Sequence, residues 1–133
     1  MRRVARFGDG WLASAYNTMP VEFVAALSKL RNELKIFGKD PETFPNALAT
    51  MFMYITEDNA ETERVLAETL TGLLGRPVEQ LRERLLVGPP EVCAEKLAAY
   101  KSVGVQRVFI WPIKDEIEQL KILRQKVAPL VAP

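Results

Sequence analysis

The chain has 133 residues, a formal net charge of +1 and 48% hydrophobic residues. These values fit one soluble globular domain, which we expect to span residues 1–133, and they do not indicate a nucleic-acid-binding protein. The longest apolar run is about half of the roughly 20 residues that a membrane span needs, and no secretory signal is visible, so a cytoplasmic location is expected. The sequence has no histidine and one cysteine, which excludes histidine-based nucleophile systems, histidine-ligated zinc and internal disulfides.

The first third of the chain predicts a helix, a short strand and a second helix. Residues 2–7 have the pattern of the last turns of a helix, and residues 9–14 read as a short strand that runs into a loop. Thr18 is the expected cap of the second helix, because Pro20 follows within the first turn, where a missing N–H is harmless. This helix is expected to bury one apolar stripe. The stripe consists of Phe23, Leu27, Leu30, Leu34 and Phe37.

The middle of the chain predicts a buried strand followed by helices. Residues 46–56 contain a contiguous run of methionine, aromatic and β-branched side chains, which is typical of a strand. Asp58 is the expected cap of the next helix, with a glutamate three residues later. A shorter helix begins at Pro77, residues 86–88 are interpreted as a brief extended link, and another helix opens at Pro89.

The last third contains the clearest strand signal. Residues 104–112 are apolar on both faces and carry one charge, Arg107, which is typical of a fully buried parallel strand. Gly104 closes the preceding helix, and Pro112 ends the strand where a ladder donor would be lost. A last helix is expected to start at Asp115. Its expected inward positions are Leu120, Leu123, Val127 and Leu130.

Together these elements predict an α/β fold of about three parallel strands joined by helical crossovers. Such crossovers are right-handed and pack on one side of a sheet. The other face then needs cover, and a closed barrel would need about eight strands.

Three motifs in one order resemble those of the bacterial luciferase-like monooxygenase family. Residues 2–11 read RRVARFGDGW and are similar to the family's RRAARYGDGW; residues 87–97 read VGPPEVCAEKL and are similar to VGTPEEVAEKL; residues 104–108 read GVQRV and are similar to GVDRV. The resemblance covers essentially the whole chain. It implies part of a TIM (β/α) barrel that uses FMN or a deazaflavin cofactor, and this chain looks like the final three β/α units.

By the same resemblance, five β/α units would normally come first. The family's phosphate-gripping loop and the early-strand residues that hold the isoalloxazine ring lie in those units, so Met1 is expected to lie inside a barrel. The chain is therefore interpreted as the C-terminal portion of a flavin- or deazaflavin-dependent oxidoreductase or monooxygenase, inactive alone and with unknown catalytic residues. A proteolysed or mis-started product of a longer enzyme is a further interpretation.

A second hypothesis belongs to a different class of protein. Exposed strand edges and an uncovered apolar sheet face are prone to aggregation unless something covers them. Symmetric dimers are the commonest cover. The alternative function is therefore a non-catalytic half-barrel that homodimerises as a structural or interaction module.

Candidate site residues follow from the barrel interpretation, because chemistry collects where barrel strands end and loops begin. Trp11, Ser14 and Trp111 lie at such positions and are the candidate cofactor-binding residues, since aromatic faces pack on flat rings. The alternative for the two tryptophans is that they fill the barrel core. Asp9 precedes a strand and is interpreted as a buried structural carboxylate, Cys93 is interpreted as a buried, inert thiol, and no metal site is expected.

Overall fold

The computed structural model describes residues 1–131 and shows a parallel sheet packed against helices. The strands are β1 (Trp11–Ser14), β2 (Asn46–Ile55), β3 (Leu86–Gly88) and β4 (Val108–Pro112). The helices are α1 (Arg2–Phe7), α2 (Pro20–Ile36), α3 (Asn59–Arg64), α4 (Thr71–Leu74), α5 (Val78–Arg84), α6 (Pro90–Ser102), α7 (Glu116–Ile122) and α8 (Ala128–Val131). Two π-helical stretches, Val65–Leu70 and Leu123–Val127, join α3 to α4 and α7 to α8. No helix in this described part of the chain is long and apolar enough to cross a membrane.

Strand β2 is the centre of the sheet. Leu48 pairs with both β1 and β4, and Met53 pairs with both β3 and β4. Because a strand has only two edges, β1 and β3 follow one another along one edge of β2, and β4 occupies the other edge. All pairs are parallel, which confirms the predicted α/β fold with helical crossovers. The predicted link at residues 86–88 pairs with β2 and is a fourth, short strand.

The two faces of this sheet differ in what covers them. Leu48, Met51 and Met53 point toward the helices and are fully buried. Side chains that alternate with them lie on the opposite face, which we call the open face. The open face carries Leu12, Ser14, Phe52, Tyr54, Phe109 and Trp111. On it, Leu12 is 62% exposed and Phe109 and Trp111 are each 52% exposed, as expected for a sheet with helices on one side only.

The prediction of a fully buried strand at residues 104–112 is wrong. Strand β4 begins at Val108 and pairs only with β2, and no other strand of the described residues lies along its outer edge. Apolar residues on both faces therefore indicate a strand whose two faces are both suited to burial. In this chain helices pack against one face, and the open face is exposed.

The inward face of the C-terminal helix also differs from its prediction. Val127 is buried and Leu123 is partly buried, as expected, but Leu120 is 50% exposed and Leu130 is also exposed. The inward residue of the first turns is Gln119, which is 3% exposed. Its side-chain amide donates to the carbonyl of Ile55 at 3.0 Å and accepts from the Ile55 N–H at 2.6 Å.

The predicted helix starts are correct at one helix and displaced at another. Asp58 caps α3 as predicted, and its carboxylate accepts from the N–H groups of Ala60 and Glu61. The cap of α2 is Met19 rather than Thr18, and the Met19 N–H donates to a Glu22 carboxylate oxygen at 2.7 Å. The carbonyl of Thr18 instead accepts the hydroxyl of Tyr100 at 2.7 Å, which ties the α2 entry to α6.

The amino-terminal end of β2 is fixed beside β4 by a second side-chain amide pair. The Asn46 N–H donates to the Gln106 side-chain oxygen at 3.1 Å, and the Gln106 N–H donates to the Asn46 side-chain oxygen at 3.0 Å. With Gln119 at the other end, β2 and its neighbours are held at both ends by side-chain amides that replace missing backbone partners.

Candidate functional site

The carboxyl ends of the parallel strands bring a group of aromatic side chains together on the open face. Phe52 of β2 lies beside Trp111 of β4 in the sheet register, and their rings meet edge to face at a centroid distance of 5.6 Å. Tyr54 follows on the same face of β2, and the ammonium of Lys114 lies 4.8 Å from the centre of its ring. The three aromatic side chains form an apolar surface, which we call the aromatic surface, with the Lys114 cation at its rim.

Lys114 is held at this rim by an ion pair. Its ammonium donates to the carboxylate of Glu61, at the start of the helix that follows β2. The hydrogen bond from Lys114 lowers the pKa of Glu61, and the same bond raises the pKa of Lys114. Both groups therefore stay charged across the neutral range, which keeps a cation beside the aromatic surface.

Ser14 lies on the open face at the end of β1 and is half-buried. Its hydroxyl accepts a hydrogen bond from the Asn17 side-chain amide at 3.2 Å, and the Asn17 side-chain oxygen accepts from Arg76 at 2.6 Å. Strand β1 is short and ends level with Ala49, so Ser14 lies about 10 Å before Trp111 along the strand direction. Ser14 and Trp111 thus lie on the same face of the sheet, at different positions along the strand direction.

Trp11 lies on the other side of the sheet. Its ring stacks on Phe23 of α2 at a centroid distance of 4.7 Å, and the residue is 8% exposed. This is the core-filling role that the sequence left open for both tryptophans. The alternation of side chains along β1 separates Trp11 from Ser14 and Trp111, because neighbouring positions of a strand face opposite ways.

The remaining sequence candidates are single residues outside the aromatic surface. Cys93 is a buried, free thiol, as predicted, and burial raises its pKa to about 11. Asp9 is exposed, so the prediction of a buried structural carboxylate is wrong. Lys39 makes the tie to the preceding helix end instead, donating to the carbonyl of Gly8 at 2.6 Å.

Two members of the aromatic surface, Phe52 and Tyr54, had no signal as site residues in the sequence. Phe52 and Tyr54 lie in an unbroken apolar run, where nothing distinguishes the open face from the core face. Lys114 lies in the predicted loop after β4, but its ion pair with Glu61 spans 53 positions of the chain. The predicted site region at the ends of the strands could have suggested Lys114, although not its partner.

A mainly apolar cavity lies away from the aromatic surface. It has a volume of about 470 Å³ and lies between α6, the C-terminal helix and the amino-terminal half of β4. Its walls are mainly apolar and include Leu97, Val108, Ile110 and Leu123. In the described part of the chain, no cluster of three or more Cys, Asp or Glu residues could hold a metal ion.

Comparison with known proteins identifies the fold. No protein-family model matches the sequence, and no curated protein matches it closely enough to count as a relative. An F420-dependent secondary alcohol dehydrogenase, solved in complex with an F420-acetone adduct, matches with a TM-score of 0.80 at 14% identity over 99% of this chain and 46% of its own. The coenzyme F420-dependent tetrahydromethanopterin reductase of Methanopyrus kandleri gives a TM-score of 0.67, 17% identity and 98% and 48% coverage. EDTA monooxygenase from Chelativorans sp. BNC1 gives 0.67, 16% identity and 98% and 43% coverage.

The parallel sheet and its helical crossovers define the chain as part of a (β/α) barrel. The particular fold is the luciferase-like one, which confirms the resemblance drawn from the three sequence motifs. The chain spans less than half the length of each of these three solved proteins. At these identities the likeness concerns the fold.

Proposed function

We propose that the chain forms one wall of the cofactor pocket of a cytoplasmic, luciferase-like oxidoreductase or monooxygenase that uses FMN or a deazaflavin, and that it does not turn over substrate alone. The observation that carries this proposal is the aromatic surface of Phe52, Tyr54 and Trp111 with Lys114 at its rim. It lies at the carboxyl ends of parallel strands, where barrel enzymes place their chemistry. The F420 adduct in the matching dehydrogenase supports the choice of ligand class.

The side chains of this surface suit a flat aromatic ligand that carries negative charge. Trp111 and Phe52 offer ring faces and edges for stacking, and the Ser14 hydroxyl can donate one hydrogen bond on the same face. The ammonium of Lys114 has three donors, and those that the Glu61 ion pair does not use can bond an anionic part of the ligand. The bound flavin or deazaflavin supplies the redox chemistry of hydride transfer or monooxygenation, and the protein binds it, orients it and excludes water.

The test is a fluorescence titration of the purified chain with FMN and, separately, with F420. We expect saturable binding in the low-micromolar range by one of them, and Trp111→Ala should weaken it at least about tenfold because a central aromatic contact is lost. Leu12→Ala is the matched control, since Leu12 is exposed on the open face but lies on β1, away from the aromatic surface. Absence of saturation for both cofactors, or equal effects of the two variants, would contradict the proposal.

A second candidate function is the homodimeric half-barrel. The observation that favours it is the open face, where Leu12, Phe109 and Trp111 are exposed on one contiguous sheet. Apolar surfaces of this kind mark interaction sites in soluble proteins. Light scattering at tens of micromolar should give the mass of a dimer, and a sharp monomer mass would reject this candidate.

A further inference from the structure

The outer edge of β4 carries backbone groups that no described strand satisfies. The Leu48 N–H donates to the carbonyl of Arg107 at 2.9 Å, and the Ile113 N–H donates to the carbonyl of Met53 at 3.0 Å. Arg107 and Ile113 therefore direct their backbone groups toward β2. Along a parallel strand, alternate residues direct these groups to opposite edges.

The residues between them can be assigned by that alternation. Phe109 and Trp111 direct their backbone groups toward β2, and Val108, Ile110 and Pro112 direct theirs outward. The outer edge therefore offers two N–H groups, from Val108 and Ile110, and three carbonyls. Pro112 has no N–H to offer.

We propose that this edge pairs with the same edge of a second copy, antiparallel and centred on Ile110. In that register Ile110 faces its own copy and the two exchange both backbone hydrogen bonds. Val108 faces Pro112 of the other copy and donates to its carbonyl. Both free N–H groups of each chain then have a partner, and Pro112 lies where only a carbonyl is needed. The edge is thus complementary to itself, as a two-fold symmetric interface requires.

The same register brings the exposed aromatic rings together. Phe109 lies opposite Trp111 of the other copy at non-hydrogen-bonded positions, where Cα atoms approach to about 4.5 Å and side chains are in closest contact. By symmetry this occurs twice, so four half-exposed rings cover one another on the open face. Aromatic pairs at such positions are among the stabilising cross-strand pairs of antiparallel sheets.

The surroundings of the edge have room and apolar surface for a second copy. The 470 Å³ cavity is lined by the side chains of Val108 and Ile110, so the sheet is not closely packed beneath this edge. Ile117 and Leu120, on the helix that follows β4, are exposed and offer further apolar area. This inference rests on the homodimer candidate and adds its contact surface and register.

The test uses charge substitutions that only this register can pair. Phe109→Lys should raise the dimer dissociation constant at least about tenfold in sedimentation velocity, and Trp111→Glu should do the same. The double variant should regain most of the dimer, because the introduced lysine of each copy then faces the introduced glutamate of the other. Leu12→Lys is the matched control, an exposed open-face residue on β1 that should leave the dimer intact. Circular dichroism verifies that each variant is folded.

A second measurement does not depend on these charges. Ile110→Cys places two thiols across the two-fold axis at a Cα separation of about 5.5 Å, within the range of a disulfide. Oxidation should give a covalent dimer, whereas the natural chain should not cross-link because Cys93 is buried.

The outcomes separate the two claims. The β4 register is contradicted if neither single charge variant changes the dimer dissociation constant and oxidised Ile110→Cys gives no covalent dimer. That result would not contradict the homodimer candidate itself. A wild-type monomer at about 100 μM, well above the concentrations at which stable dimers form, overturns both. Flavin binding is read separately, through the fluorescence titration of the natural chain, so its failure has no bearing on the dimer.

Discussion

The side-chain amide of Gln119 occupies the position that a neighbouring strand would otherwise take at the end of β2. It satisfies both backbone groups of Ile55, which is itself buried. Gln119→Leu should keep the volume but leave a buried N–H and a buried carbonyl unpaired, and we expect the free energy of unfolding to fall by about 2–4 kcal/mol. Urea denaturation measures this, with the exposed Gln80→Leu as control. A loss equal to that of the control would show that water replaces the amide.

The Cys93 thiol gives a prediction about reactivity and pH. Burial raises its pKa to about 11 from an ordinary value near 9. At pH 8 we expect a disulfide reagent to react with it at least about 100-fold more slowly in the folded chain than in urea. The exposed Ser102→Cys in a Cys93→Ala chain is the control and should react at nearly the unfolded rate.

The sign of the linked stability change follows from the same shift. A folded-state pKa above the unfolded one means that the folded chain binds the proton more tightly, so this stabilisation is complete below pH 9 and is lost as pH rises toward 11. Cys93→Ala should remove this contribution to the fall in the free energy of unfolding between pH 9 and pH 11. If the free energy of unfolding of the variant falls with pH as that of the natural chain does, the fall is due to other groups. Tyr100 is one such group, because burial raises its pKa to about 12.

Among the elements, β2 contains a strained residue where its pairing with β4 shifts. Three steps along β2, from Leu48 to Met51, match two steps along β4, from Val108 to Ile110, so β2 holds one extra residue. Thr50 lies in this bulge with φ of 56°, in the left-handed region that β-branched side chains avoid. Thr50→Gly should therefore raise the free energy of unfolding by about 1 kcal/mol, while the adjacent Ala49→Gly should lower it. Thermal unfolding of both variants measures the difference, and a loss in both would show that Thr50 is unstrained.

Most of the strands and helices could be predicted from local patterns, but their contacts could not. The apolar run of β2 and the capping carboxylate of Asp58 are local signals, and both elements form where predicted. Which tryptophan enters the core depends on whether helices cover its face, and the covering residue Phe23 is 12 positions from Trp11. Gln119 reads as a polar surface residue, because its partner lies 64 positions away. Long-range partners therefore account for most of what the sequence did not show about the site.

At the scale of the whole molecule, the open face and the unpaired outer edge of β4 belong to the same open sheet. Each strand of a closed barrel has two neighbours, whereas β4 has only β2 among the described residues. Trp111 thus has two proposed roles, stacking on a planar cofactor and packing against a second copy. A dimer centred on Ile110 covers Phe109 and Trp111 and leaves Tyr54 and Lys114 at the far end of the strands.

If folding and dimerisation are coupled in this way, stability must depend on protein concentration. Unfolding a dimer releases two chains, so mass action favours the folded state as concentration rises. We expect the thermal midpoint of the natural chain to rise by several degrees between about 2 and about 100 μM, and that of Phe109→Lys to be lower and to rise less over the same range. Leu12→Lys should behave as the natural chain does. A midpoint that is independent of concentration in all three would mean that the half-barrel is stable as a single copy, with its aromatic face left for a ligand.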